Sequence, residues 1–299
     1  MDEPWDCIVI GGGAAWLSAA LALGRARRRT LVIDGGGQSN LPAAGIGGLL
    51  GHDHRPPAEL YAAGRDELAR YPSVAVRDER VTALGGASGG FSVALAGGAS
   101  ERARTVLLAT GSDYERPDVP GVAERWGGTV FHCPFCHGWE VAGRPLGLLR
   151  GDPGRALLLT AWSDEVTLLT DGPAALEPAA AERLADAGVA VDERSVARLR
   201  GPDAELEAVV FADGSERALG GLMVHAPLRA RAELALALGA ETAEPHPGAT
   251  LALAADGMGQ TTVPGLFAAG DVTGTMPSVA NAVAAGARVA AAIVHDLTA

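Results

Sequence analysis

A chain of 299 residues, 48% hydrophobic and with 41 glycines, is long enough for about two domains and suits a well-buried α/β core with many tight turns. Its 24 basic residues stand against 36 acidic ones, a net charge of −12, which argues against nucleic acid or an anionic membrane surface as the main partner. Every basic residue is arginine, so Schiff-base chemistry, pyridoxal-phosphate anchoring and a P-loop lysine are excluded.

The opening stretch, Met1-Asp2-Glu3-Pro4-Trp5-Asp6, is acidic and lacks the basic and apolar regions of a signal peptide, and no apolar run approaches a membrane span. A cytoplasmic, reducing compartment is the expectation. Cys7-Ile8-Val9-Ile10 reads as a buried strand, Gly11-Gly12-Gly13 as the turn after it, and Ala14 to about Gly24 as a helix. Arg27-Arg28-Arg29 closes that helix, where cations are favoured by the dipole. Thr30-Leu31-Val32-Ile33 is a second buried strand. It ends at Asp34, 21 residues beyond Gly13, the spacing at which an acid meets a ribose hydroxyl in dinucleotide folds. Backbone N–H groups at a helix N-terminus cradle a pyrophosphate, and glycines let the chain come close. One position breaks the G-x-G-x-x-G pattern: Trp16 stands where the third glycine should be, and the expectation is a helix shifted outward or an indole lying against the cofactor.

Further along, His52-Asp53-His54 precedes Pro56-Pro57 and reads as a solvated turn rather than a metal site. Val106-Leu107-Leu108-Ala109-Thr110-Gly111 and Gly265-Leu266-Phe267-Ala268-Ala269-Gly270-Asp271 are two buried strands, each running into a turn of small residues. The second places Asp271 where it could accept a hydrogen bond from a sugar-like hydroxyl. Val279-Ala280-Asn281-Ala282-Val283 then opens an alanine-rich helix whose positive end suits an electron-rich ring edge.

Cys133-Pro134-Phe135-Cys136-His137 carries the chemistry. A Cys-x-x-Cys pair in a chain without a secretory signal reads as redox or metal chemistry. The haem attachment reading needs export and a distal axial ligand, and a zinc site needs more ligands than remain. No metal is therefore expected. Cys7, the third cysteine, reads as a small core hydrophobe. His137 is the candidate base, with His132 second, because an imidazole can take up thiol protons near neutral pH.

Taken in order, Gly11-Gly12-Gly13, Asp34, Ala109-Thr110-Gly111, Cys133 to Cys136 and Gly265 to Asp271 resemble the low-molecular-weight thioredoxin reductase-like flavoproteins over nearly the whole chain. That resemblance implies an α/β architecture of two doubly wound Rossmann-like domains. The first, at 1–117 and 228–299, would hold FAD through Gly11, Gly13, Ala14, Ala15, Asp34, Asn40, Thr110, Gly111, Gly270, Asp271, Ala280 and Asn281. The second, at 118–227, is an inserted pyridine-nucleotide-type domain carrying the cysteines. A homodimer is implied as well, and the His52-to-His54 turn could then border the flavin or the substrate entrance.

Departures from the family's pattern sharpen the expectation. Where an NADPH-dependent member has a second Gly-rich loop and a His-Arg-Arg cluster, this chain has Leu148-Leu149-Arg150-Gly151-Asp152-Pro153-Gly154-Arg155 and, after the next strand, Thr170-Asp171-Gly172-Pro173. An acid in place of arginine repels phosphate, so NADPH binding looks lost, and Arg150 and Arg155 read as solvated loop charges. His137 also replaces the acid that usually follows the second cysteine. This resembles the dithiol oxidases of gliotoxin- and holomycin-type pathways, which close a disulfide in a natural product and pass electrons to dioxygen. By that likeness Cys136 faces the flavin, Cys133 exchanges with a small-molecule dithiol, and His137 serves as base. The alternative is a thioredoxin reductase-like disulfide reductase drawing electrons from ferredoxin or another donor that is not NADPH.

Overall fold

The computed structural model describes residues 3–244 and 246–298, so Met1 and Asp2 of the acidic opening stretch lie outside the described residues. It divides into two units: Met1–Leu41, Pro56–Tyr114 and Pro227–Ala299 in one, Pro42–Arg55 and Glu115–Ala226 in the other. The expected span of the first domain is corrected at 42–55. This segment belongs with the second unit because its backbone packs there, Gly47 against the Cys136 carbonyl and Pro42–Ala43 against Gly127.

In the first unit the strand at Trp5–Ile10 pairs in parallel with Thr30–Asp34 on one side and Ser100–Leu108 on the other. Val74–Asp78 extends the sheet beyond Thr30–Asp34. The second half of Ser100–Leu108 pairs in parallel with Leu266–Ala268, while its first half pairs antiparallel with Phe91–Leu95, which in turn pairs with Val81–Gly85. Side chains on the first strand alternate between two cores: Cys7 and Val9 join one cluster, Ile8 and Ile10 the other. That alternation, with both faces covered, is why the strand reads as a continuous apolar run. The helices Ala14–Arg25, Pro57–Leu68 and Val279–Asp296 supply the cluster that includes Cys7. The first helix ends at Arg25, before the expected arginine triplet, and Arg27 takes a left-handed φ of 58° at the stop.

The second unit carries five parallel strands in the order Ala190–Asp192, Val166–Leu169, Leu146–Leu149, Gly221–Val224 and Val130–Phe131. Leu146, Leu148, Val166 and Leu168 pack with Leu159 of the helix Pro153–Leu159 and Leu184 of the helix Pro178–Asp186. Each unit is thus a doubly wound sheet, whose ligands gather beyond the carboxyl ends of the strands. In the first unit those ends carry Gly11, Asp34, Ala109 and Ala269; in the second they carry Arg150, Thr170, His225 and His132.

Candidate active site

The cradle of the first unit starts at Gly11, whose φ of 144° only glycine adopts easily and whose absent Cβ would collide with the Ala109 carbonyl. Gly13 precedes the helix Ala14–Arg25 without any side-chain cap, and nothing stands within 4 Å of where its Cβ would be. The first N–H groups of that helix therefore have no side-chain cap, the arrangement an anion can complete. Beyond Ala268, Asp271 opens a short 3-10 turn; its backbone carbonyl accepts from Ser112, while its carboxylate has no hydrogen-bond partner among the described residues. Burial pushes that carboxyl up to about 6. An uncapped helix end and an unpaired, desolvated carboxylate, at the ends of two strands that both pair with Ser100–Leu108, fit a dinucleotide with hydroxyl donors.

Other expected contacts are already partly engaged. Asp34 is buried, its Oδ1 accepting from the Gly36 N–H at 2.8 Å and its Oδ2 paired with Arg65. Arg65 also reaches Asp78 at 2.7 Å. Asn40 accepts from the Tyr61 hydroxyl at 2.6 Å. Thr110 donates through Oγ1 to the Arg231 carbonyl, and Asn281 donates to the Met276 carbonyl while its N–H is capped by Ser278. Ala280 is exposed at the start of the same helix, Gly111 has open space where its Cβ would be, and Gly270 packs toward the Ala15 side chain.

Of the two alternatives expected for Trp16, the indole lying against the cofactor is not the arrangement seen. Its indole is fully buried with Tyr61 and Leu68 in the core, 5.7 Å beneath the Arg65 guanidinium, so it lies against protein and not against the cradle. Its Nε1 has no hydrogen-bond partner among the described residues. Two further residues escaped the sequence reading. Gln38 donates to the Gly12 carbonyl at 2.6 Å, and Arg231 ties the Gly37 and Thr110 carbonyls together; neither long-range contact leaves a local signature.

The redox pair belongs to the second unit. His132 and Cys133 leave the end of the edge strand Val130–Phe131, Cys133 caps the one-turn helix Pro134–His137, and the proline at its first position suits that start. Both cysteines are thiols, with Cys136 Sγ donating to Cys133 Sγ across 2.8 Å. That bond, with the Cys136 and Phe135 N–H groups and the Arg155 charge, outweighs burial and brings the Cys133 thiol down to about 7. Cys133 is thereby held as a ready thiolate near neutral pH. Cys7, by contrast, is fully buried and pushed up to about 12, as suits a core residue.

Arg155 corrects the reading of a solvated loop charge. It is partly buried, donating to the His132 carbonyl at 2.8 Å and to His225 Nδ1 at 3.1 Å, because all three sit at the same end of the parallel sheet. Arg155→Met is expected to raise the Cys133 pKa. In the reduced protein the midpoint of iodoacetamide alkylation against pH should move upward from about 7. An unchanged midpoint would remove Arg155 from the thiolate's surroundings.

The two histidines beside the motif are withdrawn from solvent. His132 stacks on Trp126 at 5.8 Å and is pushed down to about 3 by burial, with His137 and Arg155 adding to the shift. His137 lies nearly parallel to Phe131 at 5.9 Å, and burial lowers its pKa as well, against the opposing charge of Glu140. Neither ring nitrogen of His137 has a hydrogen-bond partner among the described residues, although Gly127 lies close. What does reach solvent is a cleft of ≈ 250 Å³ lined by Gly47, Gly48, Asp53, His54, Phe135, Cys136, Trp139 and Glu140. Phe135 and Trp139 are 64% and 75% exposed at its rim, a large apolar display for a surface. Among the described residues no group of three or more His, Cys, Asp or Glu side chains could hold a metal ion.

Residues 5–286 match the model of the pyridine nucleotide-disulphide oxidoreductase family, and the chain belongs to that family. It is 34% identical over 297 residues to thioredoxin reductase tcpT of Claviceps purpurea, covering 94% of this chain and 90% of the relative. Thioredoxin reductase sirT of Leptosphaeria maculans is 31% identical, with 94% and 91% covered. Among solved structures, the oxidoreductase from Agrobacterium tumefaciens superposes with a TM-score of 0.93 at 37% identity over 99% of both chains. HlmI superposes at 0.91 with 38% identity, over 100% of this chain and 94% of that one. The resemblance to thioredoxin reductase-like enzymes therefore holds, and the cofactor of these enzymes is FAD. Among the described residues no helix is long and apolar enough to cross a membrane.

Proposed function

We propose that the protein oxidises a small-molecule dithiol to its intramolecular disulfide, with FAD carrying the electron pair to dioxygen. The observation that carries this reading is the spent nucleotide loop of the second unit. Arg150 donates to Asp171 at 2.6 Å, Arg155 is turned inward, and the Asp152 carboxylate caps the helix Pro153–Leu159 by accepting from the Arg155 N–H. A negative cap occupies the helix end where a pyrophosphate would bind, and both loop cations are used internally. Electrons then enter from thiols rather than from a nicotinamide.

The chain's own residues suggest how. A substrate thiolate attacks Cys133 of the oxidised pair, the S–S bond breaks, and Cys136 leaves as a thiolate. The second substrate thiol attacks the substrate sulfur of the mixed disulfide, closing the product ring and expelling Cys133. Exchange is faster when the departing sulfur is the more acidic one, and the Cys133 thiol stands at about 7. Two protons and two electrons have now passed from substrate to the pair. FAD, when bound, takes that pair of electrons from the dithiol and yields them to dioxygen, giving hydrogen peroxide. Gly11, Gly13 and the N-terminal N–H groups of the helix Ala14–Arg25 would hold its pyrophosphate and Asp271 a ribityl hydroxyl. Cytoplasmic location and a homodimer complete the reading, the latter checked by sedimentation.

Anaerobic mixing of the holoprotein with dithiothreitol should bleach the oxidised flavin, and NADPH should leave it yellow. Rapid bleaching by NADPH would end the oxidase reading, and bleaching by reduced ferredoxin but not by a dithiol would favour the reductase alternative. A second check follows from Asp271. Its carboxyl, about 6 in the flavin-free protein, accepts from a hydroxyl more strongly when ionised, and the bond lowers the bound-state value. Binding therefore releases a proton, so FAD affinity should weaken as pH falls below about 6 and level off above it. Titration of apoprotein at both ends of that range tests this, and Asp271→Asn should flatten the dependence.

A further inference from the structure

The solvent-facing cleft beside the redox pair contains an imidazole that the reaction above leaves unused. We infer that His54 takes the proton from the attacking substrate thiol, with the Glu140 and Asp53 carboxylates orienting its ring. The inference rests on the dithiol oxidase reading and adds the base to it.

Four observations place His54 there. It shares the cleft with Cys136, Phe135 and Trp139. Its position is fixed: the His54 N–H donates to the Ile46 carbonyl at 2.9 Å, the Ile46 N–H to the Arg55 carbonyl at 2.9 Å, and the Gly48 N–H to Asp53 Oδ1 at 2.9 Å. The neighbouring Gly47 approaches the motif so closely that a Cβ on it would stand 2.5 Å from the Cys136 carbonyl oxygen. The loop is therefore held on the motif's own helix, and His54 is one cross-strand step from that contact. Finally, His54 keeps a left-handed φ of 60°, a conformation that costs a non-glycine residue energy and concentrates at functional sites.

The ring's surroundings match those of an oriented base. Nδ1 lies 3.4 Å from Glu140 Oε1 and Nε2 3.6 Å from Asp53 Oδ2. A carboxylate therefore stands beside each ring nitrogen and orients the imidazole in the cleft. These two carboxylates, one from its own loop and one from the segment after the redox helix, are the charges facing the ring; on the loop's other side the Arg55 guanidinium is engaged with His52 Nδ1 at 3.1 Å. His137, the base expected from the motif, has both ring nitrogens buried beneath the surface. In the step itself the substrate S–H proton moves to the His54 imidazole, a substrate–Cys133 S–S bond forms, the Cys133–Cys136 bond breaks, and Cys136 leaves as thiolate. His54 returns its proton to solvent before the next turnover.

The test is the pH profile of anaerobic flavin bleaching by dithiothreitol in the FAD-loaded protein. At pH 7, His54→Gln is expected to lower the second-order rate constant by about 10²-fold, the span of a single general base. The loss should vanish as pH rises past the thiol's own pKa, about 8.5, because a ready-made thiolate needs no base. Added imidazole should restore part of the rate in His54→Ala, and Glu140→Gln should show a smaller loss with the same convergence at high pH. A rate unchanged in His54→Gln, or a loss constant across pH and untouched by imidazole, would overturn the assignment while leaving the oxidase reading intact. Failure of dithiothreitol to bleach the wild-type flavin at any pH would instead remove the reading and the base together.

Discussion

In the Cys133→Ser variant, bleaching of the flavin by a dithiol is expected to fall on the order of 10⁴-fold, since removing a nucleophile from a unit that acts together costs nearly the whole of its catalysis. The structural cost should be small. Cys133 is only partly buried at the start of a one-turn helix, and a serine there is a favoured capping residue. FAD content and the oxidised flavin spectrum are therefore expected to match wild type, which separates lost chemistry from lost fold. Cys136→Ser should be equally inactive in turnover but chemically distinct. It keeps Cys133 with a hydroxyl in place of the donating thiol, so treatment with an activated aromatic disulfide, which supplies the oxidising equivalents and the leaving thiolate, should give a mixed disulfide at Cys133 that no neighbouring thiol resolves and that is visible as added mass. Stopped-flow absorbance and intact-protein mass spectrometry read the two variants. A Cys133→Ser protein that still bleaches at more than about a tenth of the wild-type rate would exclude the exchange mechanism.

The parts of this fold legible in the sequence are those governed by local periodicity. Cys7 to Ile10 and Thr30 to Ile33 are apolar at every position because both faces of a parallel sheet are covered, and the glycines after the first strand announce the turn. The redox pair was legible for a different reason: two cysteines three apart in a cysteine-poor chain have few other uses. Contacts set by the meeting of strand ends left no such trace. Arg155, His132 and His225 converge because three strands of one sheet finish together, although up to 93 residues separate them along the chain. Within 42–55 only His52 to His54 was legible as a turn, and the packing of the segment on the Cys136 backbone depends on a missing side chain at Gly47 and on nothing periodic. His54 reads as solvated and its side chain is 56% exposed; its place in the cleft beside Cys136 depends on that packing. His137 looked like a base because it follows Cys136, yet sequence adjacency on a helix turns its ring away to Phe131.

Trp16 presents the clearest case of a pattern broken and then compensated, and it leads to a second large effect. The third glycine of a dinucleotide loop normally allows close packing at the start of the helix. Here the close approach is supplied from the opposite partner: Gly286 of the helix Val279–Asp296 is buried against the helix Ala14–Arg25, and a Cβ on it would collide with the Ala15 carbonyl oxygen and stand 3.1 Å from the Ala19 nitrogen. Those are backbone atoms of a hydrogen-bonded helix and cannot swing aside as a side chain would. Gly286→Val is therefore expected to destabilise the first unit by about 3 kcal/mol or more, at the upper end of overpacking costs. In a thermal melt of the flavin-free protein that should appear as a midpoint lower by roughly 6–12 °C. Because Ala15 follows Gly13 and the uncapped N–H groups by one or two residues, parting the helices also displaces the phosphate cradle, so the variant should purify with less FAD and bind added FAD more weakly. Gly286→Ala should show the same two effects in smaller measure, since it brings the colliding Cβ without the branched methyls. A Gly286→Val protein that melts within about 2 °C of wild type and retains its flavin would mean that the two helices have slack to separate, and that the burial of Trp16, not the missing side chain at 286, sets their spacing.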